Sequence, residues 1–461
     1  MTATLVACSE APQKSETAPP PEAEAPTAGA PPPAANGDGA SDSAAPDSHS
    51  YEYEPPDTLD GAEAPTRRRY SAPRSAAPPP ESAPMPPPPP GASAPDPSGS
   101  GAPPPLGSAL PPAATAARGA WDVVPVYYGT DRARRPNDKR LDYGSERGRR
   151  LELGRALVTV PKIHQVPAIE RPWAIRVFNI TLYEEAEDPN RHFTMEEIKA
   201  LSEQEFLDLV RARLATSSRY KDHAFVFVHG YNTSFDYAIF RTAQIAYDLK
   251  FDGAPFAYSW PSGGGLASYT YDRESSGQSE PYLKEFVELV INKTGAKSVS
   301  VIAHSMGNQP TLQVLRDLRR SLLGGVRISQ VILAAPDVDR DNFANIARDI
   351  QGLAAGVTLY AAGNDHALTV SRRFYGGIPR AGDVPVTGPL VLPGIDTIDV
   401  SAASMDSLGL NHSGYAENNT LLQDIAALIA TGVRPPKLRT PTLEEIATDH
   451  GAYWRYPALR P

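Results

Sequence analysis

The sequence has a single cysteine, Cys8, among its 461 residues. One thiol excludes an intrachain disulfide framework and a metal cluster built from cysteines. No run of about 18 apolar residues occurs, so the sequence predicts no transmembrane helix. It also has no metal-ligand spacing and no glycine-rich phosphate loop, so we expect no cofactor.

Proline is distributed unevenly and is concentrated at the beginning of the chain. Residues 1–118 hold 29 of the 49 prolines, with 14 acidic and 6 basic residues. Such a segment buries too little apolar surface to offset the entropy of ordering, so we expect a disordered arm. The other 343 residues, 119–461, suit one large α/β domain or two smaller ones. Their 38 basic and 40 acidic residues are nearly balanced, which argues against nucleic acid as a partner.

Cys8 follows Leu5, Val6 and Ala7, a pattern similar to the site where bacterial lipoproteins are cleaved and acylated. The seven residues before Cys8 are too few for a signal peptide, so this interpretation requires a start further upstream. A chance match is the alternative. With Cys8 acylated, the arm is a tether, and we expect a membrane-anchored lipoprotein of the cell envelope facing the periplasm. Without acylation, the expected location is cytoplasmic.

From residue 121 onward, short apolar segments alternate with helical ones. Early strands are predicted at 121–128, 156–160 and 175–182, with a loop at 132–150. Helix is predicted over 194–214, where Thr194/Glu197 and Ser202/Glu205 each fit a capping box. Later strands are predicted at 224–228, 255–259, 298–303, 330–334, 357–361 and 397–400, and helices near 243, 287, 313, 346 and 423. This alternation predicts an α/β fold, a mostly parallel sheet with helices on both faces, with its core at 121–430 and a tail at 431–461.

One serine stands where a predicted strand turns into a helix, in Ala303-His304-Ser305-Met306-Gly307. Small residues two before and two after a serine allow the close strand–helix approach of a nucleophile elbow. We therefore predict Ser305 as a nucleophile and the N–H of Met306 as an oxyanion donor. A serine that only caps a helix is the alternative.

The second oxyanion donor is expected after the strand at 224–228. There His229 and Gly230 precede Tyr231, and hydrolases of this kind take a backbone N–H from this position. We assign that N–H to Tyr231. A glycine turn beside a core histidine is the alternative.

The acid of a catalytic triad should follow the serine in the chain. Asp365 comes a few residues after the strand at 357–361, and we predict it as this acid. Asp337 and Asp339, which follow the preceding strand, are its rivals, with helix capping as their alternative role.

The base should be a histidine after the acid. His412 lies between the last strand and the last long helix and is preferred to His450, which lies in the tail. His304 and His366 adjoin the predicted site, and we expect them to shape it.

Several of these segments together resemble a bacterial esterase/lipase-like α/β-hydrolase family of unknown function. The segments are 126–132, which matches the family's typical opening, 229–232, 259–262, 271–275, 303–308, 335–339 and 364–365. The resemblance covers about residues 121–430. It implies an α/β-hydrolase fold and a Ser/Asp/His triad, and it implies no particular substrate.

Three functions remain open at this point. The first is a serine hydrolase of carboxylic esters with a small ester or acyl substrate, and the second is a peptidase or acyltransferase with the same triad. The third is a non-catalytic binding module of the envelope on a hydrolase scaffold, which the retained nucleophile, base and acid argue against. The segment 260–279 is either a substrate rim or lid, or a plain loop, and the sequence does not determine the oligomeric state.

Overall fold

The computed structural model describes residues 120–177, 180–263, 268–321, 328–363, 378–402 and 418–457. Four residues singled out above, Cys8, Asp365, His366 and His412, lie outside the described residues.

The described chain forms one large sheet and a small hairpin. The strands are β1 (Trp121–Arg134), β2 (Tyr143–Pro161), β3 (Ala174–Val177), β4 (Ile180–Glu184), β5 (Thr194–Leu201), β6 (His223–Val228), β7 (Ala254–Ser259), β8 (Ser298–His304), β9 (Ile328–Ala334), β10 (Ala354–Ala361), β11 (Ile395–Asp399), β12 (Glu444–Thr448) and β13 (Gly451–Arg455). The large sheet has the order β12-β13-β11-β10-β9-β8-β6-β7-β1-β2-β5, and β3 pairs with β4. In this spatial order, every pair of neighbouring strands between β13 and β1 is parallel. Antiparallel pairs lie at its two ends.

Helices cover both faces of this sheet. They are α1 (Glu203–Thr216), α2 (Phe235–Asp248), α3 (Tyr269–Gln278), α4 (Glu280–Lys293), α5 (Asn308–Ser321), α6 (Arg340–Asp349), α7 (Asn418–Thr431) and the short α8 (Pro436–Arg439). Apolar side chains of α1, α4, α5 and α6 pack on one face, and those of α2 and α7 on the other. In the described chain, no helix has the length and hydropathy needed to span a bilayer.

Strand β6 illustrates why the central strands are apolar throughout. Val226 and Val228 belong to one core cluster, whereas Phe225 and Phe227 belong to the cluster on the opposite face. Because both faces are buried, a parallel strand needs apolar residues at every position. Each such side chain contributes about 1.5–3 kcal/mol when fully buried. The predicted α/β fold with a mostly parallel sheet is confirmed.

The predicted helix over 194–214 is wrong in its first part. Residues Thr194–Leu201 form β5, an edge strand that pairs with β2, and the hydroxyls of Thr194 and Thr159 lie 2.6 Å apart. The helix begins at Glu203, with Ser202 and Glu205 forming the predicted capping box. The other predicted capping box, Thr194/Glu197, is wrong, because pairing across the sheet overrides the local helix signal.

Three other segments also differ from prediction. The strand expected at 175–182 is split into β3 and β4, and much of the loop expected at 132–150 belongs to the long strands β1 and β2. Within 260–279, residues Tyr269–Gln278 form α3. The polar residues of 132–150 and 260–279 gave no clear periodicity, so the sequence did not show the extension of β1 and β2 or the helix α3.

The segment after Thr431 is bound to the domain by a buried carboxylate. Asp424 of α7 accepts hydrogen bonds from the Tyr360 hydroxyl, at 2.6 Å, and from Arg439 Nε, at 3.0 Å. The next strands, β12 and β13, extend the sheet beyond β11. The segment predicted as a tail at 431–461 therefore contributes two strands to the sheet.

A buried histidine joins the segment after β2 to helix α2. His164 Nδ1 lies 2.9 Å from a carboxylate oxygen of Glu170, and its Nε2 lies 2.9 Å from Asp248 Oδ1. Burial disfavours the protonated ring, but the hydrogen bonds and charges of the two carboxylates outweigh burial and raise the pKa of His164 from 6.5 to about 9.

This histidine predicts a specific pH dependence of stability. Since its pKa is higher in the folded state, its contribution is fully present below pH 6.5 and is lost as the pH rises through about 9. At about 1.36 kcal/mol per pKa unit, the loss is on the order of 3 kcal/mol. Urea unfolding at pH 6 to 10 should show this decline in the wild-type protein and lack it in His164→Gln.

The exposed His450 provides the control, since His450→Gln should keep the wild-type profile. Parallel stability profiles for His164→Gln and the wild type would contradict the assignment.

Candidate active site

Ser305 occupies the sharp turn between β8 and α5. Its φ is +49°, in the left-handed region that non-glycine residues rarely adopt, and residues Ser305–Gly307 form a single 3-10 turn before α5 starts. Such a conformation costs on the order of 1–3 kcal/mol and persists only where the surroundings enforce it. The strand, strained serine and helix are the features of a nucleophile elbow.

The ends of β6 and β8 approach each other too closely for side chains at two glycines. A Cβ atom on Gly307 would lie well inside 3.0 Å of the His229 carbonyl oxygen. A Cβ atom on Gly230 would lie 2.9 Å from Ser305 Cβ. Backbone packing therefore leaves no room for a side chain at Gly307, two residues after the nucleophile. Ala303, two residues before it, is fully buried.

Hydrogen bonds to the Ser305 carbonyl fix the backbone of the elbow. Asn308 Nδ2 donates to the Ser305 carbonyl at 2.9 Å, and the Asp337 N–H donates to the same oxygen at 3.2 Å. The Asn308 amide also reaches the carbonyls of Ala303 and Ala334, each at 3.3 Å. One buried side chain thus joins the ends of β8 and β9 to the turn.

Asp337 is held by a buried ion pair. Arg380 Nε donates to Asp337 Oδ1 at 2.8 Å, and the Tyr269 hydroxyl donates to Oδ2 at 2.7 Å. Both charged side chains are 3% exposed. The carboxylate therefore fixes the segment after β9 and is not a helix cap.

Asp339 has the capping role that was the alternative for these two residues. It is the N-cap of α6, and its side chain accepts from the N–H groups of Asp341, at 3.1 Å, and Asn342, at 3.0 Å.

Two buried histidines next to the elbow are held in the neutral form. Burial and the charge of Arg132 lower the pKa of His229 to about 3, and burial and Arg241 lower that of His304 to about 3. The ring of His229 stacks on Trp260 at a centroid distance of 4.7 Å, and the Trp260 Nε1–H donates to the His229 carbonyl. Both rings pack in the interior, in agreement with the expectation that His304 shapes the site.

The segment that carries the second predicted oxyanion donor follows β6. Tyr231 is nearly buried, and its ring packs edge-on against Tyr269 at 5.4 Å. The next residue, Asn232, has a φ of +55°. Ser234 then begins α2 as its N-cap, accepting a hydrogen bond from the Tyr237 N–H.

The structure brings part of the predicted site together. Ser305, Met306 and the segment of Tyr231 meet where β6 and β8 end. The other two predicted residues, Asp365 and His412, lie outside the described residues. β10 ends at Ala361, four residues before Asp365, and α7 begins at Asn418, six residues after His412. The roles of Asp365 and His412 stay predictions.

Three charged residues of the site were not predicted from the sequence as part of it. Arg132 and Asp272 are buried beside the segment that follows β6, and Arg380 pairs with Asp337. Arg132 and Asp272 lie in motifs that carried the family resemblance, whereas no signal marked Arg380. Among the described residues, no group of three or more His, Cys, Asp and Glu side chains is arranged to hold a metal ion.

Residues 202–431 match the sequence profile of the family described as alpha/beta hydrolases of unknown function. The matched segment runs from the N-cap of α1 to the end of α7 and includes the Ser305 elbow. The match confirms the resemblance to an α/β-hydrolase family of unknown function over these residues, and the segment 126–132 lies outside it. It agrees with the observed sheet and leaves the substrate open.

The close approach at the elbow predicts that Gly307→Ala destabilises the protein. The added methyl group meets backbone, which cannot rotate away, so we expect a loss of about 1–3 kcal/mol in the free energy of unfolding. Gly277→Ala is the matched control, because its Cβ would meet nothing within 4 Å in α3 and a helical alanine gains about 0.5–1 kcal/mol. Urea midpoints measure both changes. Equal stabilities for Gly307→Ala and the wild type would show that the approach is not tight.

Proposed function

Residues 202–431 belong to the family of alpha/beta hydrolases of unknown function, and from this premise we propose that the protein is a serine hydrolase that cleaves a carboxylic ester. The observation that carries the proposal is the strained Ser305, with a φ of +49°, at the turn from β8 to α5. An ordinary helix-capping serine needs no left-handed backbone, whereas a nucleophile elbow does.

The proposed reaction proceeds through an acyl-enzyme. Ser305 Oγ attacks the carbonyl carbon of the ester while His412 takes its proton, and Asp365 orients His412. The N–H groups of Met306 and Tyr231 stabilise the oxyanion. His412 then gives the proton to the leaving alkoxide. A water molecule attacks the acyl-enzyme, its proton passes through His412 to Ser305, and the carboxylic acid departs.

The contacts of the rival acids support Asp365. Both carboxylate oxygens of Asp337 accept hydrogen bonds, from Arg380 and Tyr269, and Asp339 caps α6. An orienting acid stabilises the imidazolium with its charge, and the charge of Asp337 is already balanced by Arg380. These engagements favour the carboxylate that follows β10.

The low pKa values of the buried histidines support His412 as the base. A general base works best when its pKa lies near the working pH, and pKa values of about 3 make His229 and His304 weak bases. A histidine from another part of the chain is therefore needed, and His412 follows the acid in the order typical of this fold.

A Ser/His/Asp triad also serves peptidases and acyltransferases, so an assay has to identify the leaving group. A panel of p-nitrophenyl esters, thioesters and peptides, assayed with the wild-type protein, identifies the class. We expect turnover of the esters, and turnover of peptides alone would replace the ester assignment by a peptidase.

Removal of the nucleophile tests the proposal. Ser305→Ala should lower kcat on the best ester by several orders of magnitude, because no acyl-enzyme forms. Circular dichroism should show the wild-type fold, because alanine keeps the Cβ atom of serine and removes only the hydroxyl. Activity near the wild-type level would refute the proposed mechanism.

A pair of aspartate variants tests the acid. Asp365→Asn should lower kcat about 10⁴-fold, because His412 loses the partner that fixes its tautomer and stabilises its charge. Asp339→Asn should stay within about twofold of the wild type, since asparagine is an equally good N-cap. Initial rates at saturating ester measure both, and the reverse order would move the acid to the segment after β9.

A further inference from the structure

We propose that Asp272 and Arg132 are positioning residues, which hold the loop of residues 230–233 so that the Tyr231 N–H faces the oxyanion. This inference rests on the proposed hydrolase function. It adds two residues that lie outside the predicted triad and donors.

Asp272 holds the loop from the side of α3. Its carboxylate is fully buried and accepts from the Asn232 N–H at 3.0 Å, from Ser262 Oγ at 2.6 Å and from the Gly263 N–H at 2.6 Å. The first of these donors is the residue directly after Tyr231. The other two lie in the segment after β7, so one carboxylate joins the ends of β6 and β7.

Arg132 holds the same loop from the end of β1. Its Nη2 donates to the Thr233 carbonyl at 2.7 Å, and its Nε donates to Ser259 Oγ at 2.9 Å. Nη1 reaches the carbonyls of Gly144, at 3.0 Å, and Ser262, at 3.3 Å. All three nitrogens of the guanidinium donate here in different directions, whereas a lysine side chain has only one nitrogen.

The two side chains are also linked through Ser262. Its hydroxyl donates to Asp272 and accepts from the Thr233 N–H at 3.0 Å. The peptide groups on both sides of residue 232 are therefore fixed by the same small network. The network maintains a turn in which Asn232 has a φ of +55°, in the left-handed region that asparagine adopts more readily than most non-glycine residues.

Fold stability alone does not account for two charged side chains buried at this point. Burial lowers the pKa of Arg132 to about 10, so it remains a cation at neutral pH beside Asp131 and Asp272. Replacing buried ion pairs with apolar residues is often neutral or stabilising for a fold. Rigid placement of an oxyanion donor, in contrast, is worth about 10²–10³ in rate.

The experiment compares two buried carboxylates. Asp272→Asn keeps the size of the side chain but weakens the hydrogen bond that it accepts from the Asn232 N–H. Asp424→Asn likewise weakens the hydrogen bonds that Asp424 accepts from Tyr360 and Arg439. With p-nitrophenyl acetate, Asp272→Asn should lower kcat about 10- to 100-fold with KM within about twofold of the wild type. Asp424→Asn should lower the melting temperature and keep the wild-type kcat.

A milder variant covers the case in which Asp272→Asn does not fold. Ser262→Ala removes one hydroxyl from the network, and we expect kcat to fall severalfold at unchanged KM. A wild-type kcat in Ser262→Ala or Asp272→Asn overturns the proposal, as does an equal loss of kcat in Asp424→Asn. A wild-type protein without any esterase, thioesterase or peptidase activity overturns the proposed function, and this inference with it, before any variant is compared.

Discussion

The structure depends on one steric constraint, the contact between the turn after β8 and the end of β6. Gly307 lies against the His229 carbonyl, and Gly230 lies against Ser305, with no room for a side chain at either position. This contact forces the serine into the left-handed region, at a φ of +49°, and brings the loop of Tyr231 beside it. The central parallel strands provide the rigidity that maintains the strained turn, because each is buried on both faces.

Around this contact, three buried charged side chains are each held by several hydrogen bonds. Asp337 is paired with Arg380, Asp272 accepts three hydrogen bonds, and Arg132 donates four. The adjacent histidines are neutral because burial lowers their pKa. Groups fixed in this way do not reorganise during a reaction, which is the condition for strong electrostatic stabilisation of a transition state.

The sequence predicted what depends on local pattern. Apolar runs identified β6 to β11, the small residues around Ser305 identified the elbow, and Ser202 with Glu205 identified the start of α1. It misplaced Thr194–Leu201, because that segment has a helical pattern and becomes a strand only by pairing with β2. The contacts of Asp272 and Arg132 with the loop of residues 230–233 join residues 40 and 101 positions apart, and no local signal reports such contacts.

The central claim is that Ser305 is a nucleophile, and covalent labelling tests it most directly. The native protein is treated with a fluorophosphonate, which phosphonylates activated serines and releases fluoride, and the modified peptide is mapped by mass spectrometry. The account predicts one adduct per chain, on Ser305, which is lost when the protein is unfolded before treatment. An unlabelled protein, or an adduct confined to another residue, would contradict it.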